Sequence, residues 1–337
     1  MVVAGYGDVT VAVDDQDDLF YTRAALEAHC PEQGRITVHP TPANGSQAAL
    51  AHDVLYALGK RLAPGPSSPD VWLDSVEAAW LAAAAWTQAT GVRHAVVPRA
   101  HLLILRRIDQ LLAWRAATGV QLTLLWQRDA RKLPPALARV ERRLSGGDQF
   151  EALLREPGPI PARPSFAPTP PSMTKAAVPA PSPPAQQQLG GTRPALMRPG
   201  QQARPCVGAM ATVHLSQAAS ALEINPEDAA ALADLAHPLI AGALSVLAFT
   251  QARLGSLRFT RDIDITGDVG VIKLHGPGHQ RCSLHAVPAW ARSLLAAARA
   301  HHRLATHSPT NSMFDPVMLA EARYLRAHGK RLSPDSA

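Results

Sequence analysis

Between residues 250 and 281 the chain gathers side chains suited to handling a phosphate group. Arg253, Arg258, Lys273, His275, His279 and Arg281 are set around an acidic Asp262-Ile263-Asp264. A guanidinium presents a planar fork that grips two phosphate oxygens at once. A lysine can hand a proton to a departing oxygen. Taken singly, each has a plainer role: Arg253, after an apolar helix, can cap it or pair with an acid, and Lys273 on an exposed hairpin can be a solvated charge. His275, His279 and Arg281 fall on or near a hairpin tip, within reach of a nucleic-acid backbone. A second candidate is RITVHPTPANGSQAALAHDVLYALGK, residues 35–60, which reads strand, Gly-containing turn, helix. A helix N-terminus offers unpaired N–H groups and the positive end of its dipole, so such a turn can hold phosphate. Gly45 is here followed by Ser46 and Gln47, where a phosphate loop needs Lys and Thr.

The elements that must position these residues fall into two parts. Residues 1–156 alternate short apolar stretches with helical patterns. Strands are expected at 8–13, 35–40, 94–98 and 120–127. Helices are expected at 19–30, 47–62, 75–91, 102–119 and 134–144, with Gly91 stopping the third. Unalternated apolar strands separated by helices predict an α/β fold, a parallel sheet with helices on both faces. Residues 206–337 are expected to be mainly helical, with a small β-hairpin sheet. Helix 226–257 would be capped by Asn225 with Pro226 in its first turn. Strand-like runs follow at 262–266, 269–275 and 281–287, and helices at 289–304 and 316–332. Between the parts, residues 157–205 hold 14 of the chain's 30 prolines. Such a segment buries too little to offset its ordering entropy and is expected to be a disordered linker, its ends about 40 Å apart.

Composition narrows the function classes. The net charge of +6 rests on arginine, since lysine occurs five times. That excess favours a polyanionic partner such as duplex DNA, or reflects an Arg-, Ala- and Pro-rich coding bias. Aromatic residues make up 5% of the chain, too few for a run of base-stacking platforms. Cys30, Cys206 and Cys282 are far apart, which argues against a metal site or a disulfide framework and fits a reducing, cytoplasmic compartment. Neither a signal peptide nor an 18-residue apolar span is legible, so no membrane association and no cofactor are expected.

In the first part, the order strand, NGSQ turn, helix, and a later VVPRAHLL strand resembles an AAA+ ATPase of the kind that serves transposition. The resemblance implies a phosphate loop at Gly45, Ser46 and Gln47 and an acidic strand end at Pro98 and Arg99. Ser46 replaces the phosphate-binding lysine, Gln47 the magnesium-binding threonine, and Pro98-Arg99 the two acids. It therefore implies a degenerate fold with the remnant of a nucleotide site and no hydrolysis.

In the second part, ALSVLAFTQARLGSLRFTRDIDITGDVGVIKLHGPGHQRCSLHAVPAWARSLLAAA resembles the start of a tyrosine recombinase (phage-integrase-type) catalytic domain, partial over residues 226–304. The shared features are Thr250 with Arg253, then Leu257-Arg258-Phe259, Asp262-Ile263-Asp264, the hairpin Lys273, and Val287-Pro288 opening a helix. The resemblance implies that Arg253 is the first active-site arginine and Lys273 the lysine that protonates the leaving 5′ oxygen. Gln251 and Ser256 depart from the family's Gly and Glu. The only late His-x-x-Arg is His328 to Arg331, with Tyr324 upstream of it and no tyrosine beyond. The expected function is thus a DNA-binding protein related to site-specific recombinases and integrases (DNA recombination, DNA integration), inactive or truncated as an enzyme. The alternative is a regulatory or scaffolding protein. In that reading the first part, through helices bearing Trp72, Trp80, Trp86 and Trp114, and the Pro-rich segment would dock a protein partner.

Overall fold

The computed structural model describes residues 9–41, 46–62, 73–138, 140, 142–144, 146–155, 221–276, 282–306, 311–316, 318–320, 322 and 323. The expected linker lies outside them. So do Gly45, Trp72, His279, Arg281, Tyr324 and the stretch 328–331.

The expected α/β architecture is present in the first part. Strands β1 (Val9–Val13), β2 (Arg35–Thr37), β3 (His94–Val97), β4 (Gln121–Trp126) and β5 (Arg142–Leu144) form one sheet in the order β2-β3-β4-β1-β5. Every pairing is parallel, with Val11 opposite Leu124 on one side of β1 and Arg143 on the other. Side chains alternate across the sheet, so each inner strand feeds two cores. Val9, Val11, Ala95, Val97, Leu122 and Leu124 point to one face, while Ala12, Val96 and Leu125 point to the other. Helices α2 (Ala49–Ala57), α3 (Val76–Thr90), α4 (Leu105–Thr118) and the short α5 (Pro135–Ala138) cover the first face. Helices α1 (Leu19–Glu27) and α6 (Gly147–Arg155) cover the second. Ser75 caps α3 by accepting from the Ala78 N–H, and Gly91 ends it at a φ of 69°. That positive φ is a conformation that glycine adopts without a Cβ penalty. The helix expected over 134–144 is instead α5 followed by β5, because Arg142–Leu144 completes the free edge of β1.

The second part runs α7 (Pro226–Ala233), α8 (Pro238–Thr250), α9 (Leu254–Leu257), a 3₁₀ turn Asp262–Asp264, β6 (Val271–His275), β7 (Cys282–Ala286) and α10 (Ala289–Thr306). Asn225 caps α7 by accepting from the Glu227 N–H, as its position suggests. The single helix expected over 226–257 is broken twice. His237 precedes a proline and stays extended, and Gln251 turns left-handed with a φ of 52°. Asp262–Asp264 coils instead of pairing as a strand, and only Ile265 bridges, to Ile272. Strands β6 and β7 form the expected antiparallel hairpin. Helix α10 packs against α8 closely enough that a Cβ on Gly242 would lie 2.5 Å from the Ala298 methyl.

The second part also packs on the first. Ala236, Ala241, Leu294 and Ala297 join the core that α3 and the sheet enclose. The Trp86 indole donates to Ala236 O at 2.7 Å, Lys60 Nζ to Ala233 O at 2.5 Å, and the Arg61 N–H to Asp234 O at 2.6 Å. Trp86 and Trp114 are buried and Trp80 packs partly buried against the same core, so these three serve packing. Among the described residues, no helix is long and apolar enough to cross a membrane.

Candidate nucleic-acid interface

The sheet order decides which loops could receive a ligand. Strand β1 leads to α1 on one face, whereas its neighbour β4 leads through α5 on the other. Open parallel sheets bind ligands at such a divergence, outside the carboxyl ends of the strands. Here the loop after β1 brings Asp14, Asp15, Asp17 and Asp18 to that position. Asp18 Oδ1 accepts from the Phe20 N–H and so occupies the start of α1. Gln127, at the end of β4, donates to Asp17 Oδ1 at 2.6 Å and to Thr22 Oγ1 at 3.2 Å. The Asp14 Oδ2 is buried with no hydrogen-bond partner. Where a phosphate needs N–H donors and positive charge, the chain supplies carboxylates.

Ser46 and Gln47 of the NGSQ stretch are placed differently: they lie between β2, the edge strand, and α2, and the chain after β3 runs to the same face. Ser46 is exposed; its Oγ accepts from the Ala48 N–H and its carbonyl from Arg107 Nη2. Asp53 of α2 takes both the N–H and the hydroxyl of Thr41 on the entering chain. Ser46 and Gln47 thus precede α2 at the sheet's edge, on the carboxyl side of β2 and away from the β1–β4 divergence. Pro98 and Arg99 follow β3, with Arg99 left-handed at a φ of 54°.

In the second part the acidic pair is structural. Asp262 receives Arg299 Nε on one oxygen and Arg303 Nε, at 2.8 Å, on the other. Arg299 Nη1 also donates to Thr266 O at 2.8 Å. Asp264 is gripped by Arg261 through Nε at 3.0 Å and Nη2 at 3.1 Å. Burial works to raise the Asp264 carboxyl, but hydrogen bonds from Arg261 and the neighbouring His275 outweigh it and hold it below the ordinary range. These buried pairs lock the turn to α10 and to β6. The network was findable in part: Arg299 and Arg303 are four residues apart, hence on one helix face. Their partner, 37 and 41 residues back, was not.

No family model, curated protein or solved structure matches this chain. The site therefore rests on its own geometry.

Several expected contacts are relocated. His275 was placed near a hairpin tip facing a nucleic-acid backbone, but it is 1% exposed and lies between Asp264 and Cys282. A side chain so enclosed reaches no external phosphate. His301 and His302 of α10 are buried as well, and the His301 ring packs 5.5 Å from that of His237. Arg253 and Arg258 stay outside. Arg253 is the exposed N-cap of α9, and Arg258, exposed, is its C-cap. Helix α9 packs on β6, whose central Lys273 is half-buried. Among the described residues, Arg253, Arg258 and Lys273 take part in no ion pair. Nor do the described residues place three His, Cys, Asp or Glu side chains to hold a metal ion.

Proposed function

We propose that this chain binds duplex DNA through phosphate contacts, using the cations of the α9–β6 unit, and that it is related to site-specific recombinases and integrases. One observation carries the reading: Arg253 and Arg258 flank a helix packed on the strand that bears Lys273, and all three are left out of the internal ion pairs. The internal arginines 261, 299 and 303 hold Asp262 and Asp264, so the surrounding frame is rigid while the outward cations remain available. By the stated resemblance, Arg253 and Lys273 would address a scissile phosphate; Arg258 would add a DNA contact. The reading commits to binding and to no strand-exchange step. Its test is an electrophoretic shift of duplex DNA by the full chain at low and moderate salt. A shift that weakens at least tenfold as salt rises supports it, because phosphate contacts release counterions. No shift in low salt overturns it.

A second reading, a protein-docking role for the first part, is favoured by the exposed run Leu102, Ile104 and Leu105. A protein captured from nuclease-treated lysate by the native chain, and lost with Ile104→Asp, would support it.

A further inference from the structure

The β6–β7 hairpin brings together three side chains that phosphate binding does not use. His275 and Cys282 are directly opposed across the hairpin, with Cys282 Sγ 3.3 Å from His275 Nδ1. On its other side the same imidazole sets Nε2 3.1 Å from Asp264 Oδ2. His275 and Asp264 are buried, and Cys282 is exposed. The order from solvent inward is thiol, imidazole, carboxylate. Among the described residues, other charged or titratable groups nearby are Arg261 on the 3₁₀ turn, Lys273 on the His275 face of β6, and His285 on the opposite face of β7.

Each position has a chemical consequence. An ionised carboxylate beside Nε2 favours a proton on that nitrogen, which leaves the Nδ1 lone pair facing sulfur. Two hydrogen bonds from Arg261 fix the Asp264 carboxylate, so it acts as an orienter. Once the imidazole accepts the thiol proton, the resulting cation lies between Asp264 and a thiolate, stabilised by both. A nucleophile, a base within reach, and a third group orienting the base are the requirements of an activated thiol.

We propose that Cys282, His275 and Asp264 form such a relay and make Cys282 the site at which hydroperoxides oxidise this protein. An exposed sulfur needs no cleft to meet a reagent that small. In the step, His275 Nδ1 takes the Cys282 proton and the thiolate attacks the outer peroxide oxygen. The S–O bond forms as the O–O bond breaks. Sulfur is oxidised by two electrons to the sulfenic acid and the peroxide is reduced. The imidazolium returns its proton to the leaving oxygen, giving water from hydrogen peroxide or an alcohol from an alkyl hydroperoxide.

Cys30 is the internal reference, since its described partner is the Glu32 carboxylate at 3.5 Å and not an imidazole. The full chain is treated with hydrogen peroxide, its sulfenic acids are trapped with dimedone, and labelling is read peptide by peptide. Cys282 should label about tenfold or more faster than Cys30. With iodoacetamide, the Cys282 rate should fall less than about threefold between pH 8 and pH 6.5, and clearly less than the Cys30 rate does. Equal rates with equal pH dependence in the native chain overturn the proposal. In His275→Gln, Cys282 should fall to the behaviour of Cys30; unchanged reactivity in a folded variant, by circular dichroism, also overturns it. If that variant does not fold, the native comparison of the two cysteines decides.

Discussion

The indole of Trp86 donates a buried hydrogen bond to the carbonyl of Ala236, 150 residues away. It ties the middle of α3 to the residue two before α8, and Lys60 lies 3.7 Å above the same indole ring. Trp86→Phe keeps an aromatic face for Lys60 but orphans the carbonyl. The expected loss is about 1–3 kcal/mol, seen as a lower urea midpoint. Because the two parts share a core, circular dichroism and tryptophan fluorescence should report one coincident transition. Two separated transitions would contradict that shared core.

Lys60 provides a pH test of the same joint. Burial lowers its ammonium to about 8, against 10.5 for a free lysine. Between those values the unfolded chain holds a proton that the folded chain has released, so stability from this group rises with pH. Below pH 8 both states are charged and the penalty stands in full, on the order of 3 kcal/mol. Lys60→Met should therefore be relatively more stable than the native chain at pH 7.5 than at pH 10.5. Parallel stability curves would refute this.

His237 and His301 act in the opposite range. Burial lowers them to about 4 and about 3, against 6.5 when free. Their contribution is present above pH 6.5 and is lost as pH falls toward 4, because only the unfolded chain takes up protons there. His301→Phe should flatten the fall in urea midpoint between pH 7 and pH 5.

The outward arginines provide a test of binding that leaves the core alone. If Arg253 and Arg258 each neutralise one phosphate, the double alanine variant should weaken DNA binding. Its log–log salt slope should also be shallower by nearly 2. Fluorescence anisotropy of labelled duplex measures both. An unchanged slope would move the interface elsewhere.

The parallel sheet was legible because its strands are unbroken apolar runs: VTVAV and QLTLLW must be buried on both faces wherever they sit in the order. Helix limits set by local chemistry were legible too, at Asn225 and at Gly91. What the sequence could not show was partnership at long range. Arg142–Leu144 resembles a helix end until the empty edge of β1 is there to receive it. That Ser46 and Gln47 follow an edge strand while Asp14, Asp15, Asp17 and Asp18 follow the inner β1 is likewise set by strand order. His275 reads as a surface contact until the hairpin register sets it against Cys282 and the turn brings Asp264 behind it. Periodicity and capping act over a few residues, so the sequence by itself determined the elements. Strand order, and burial against residues tens to hundreds of positions away, depend on the whole packed chain. Only the tertiary structure decided which charges face inward and which are left for a partner.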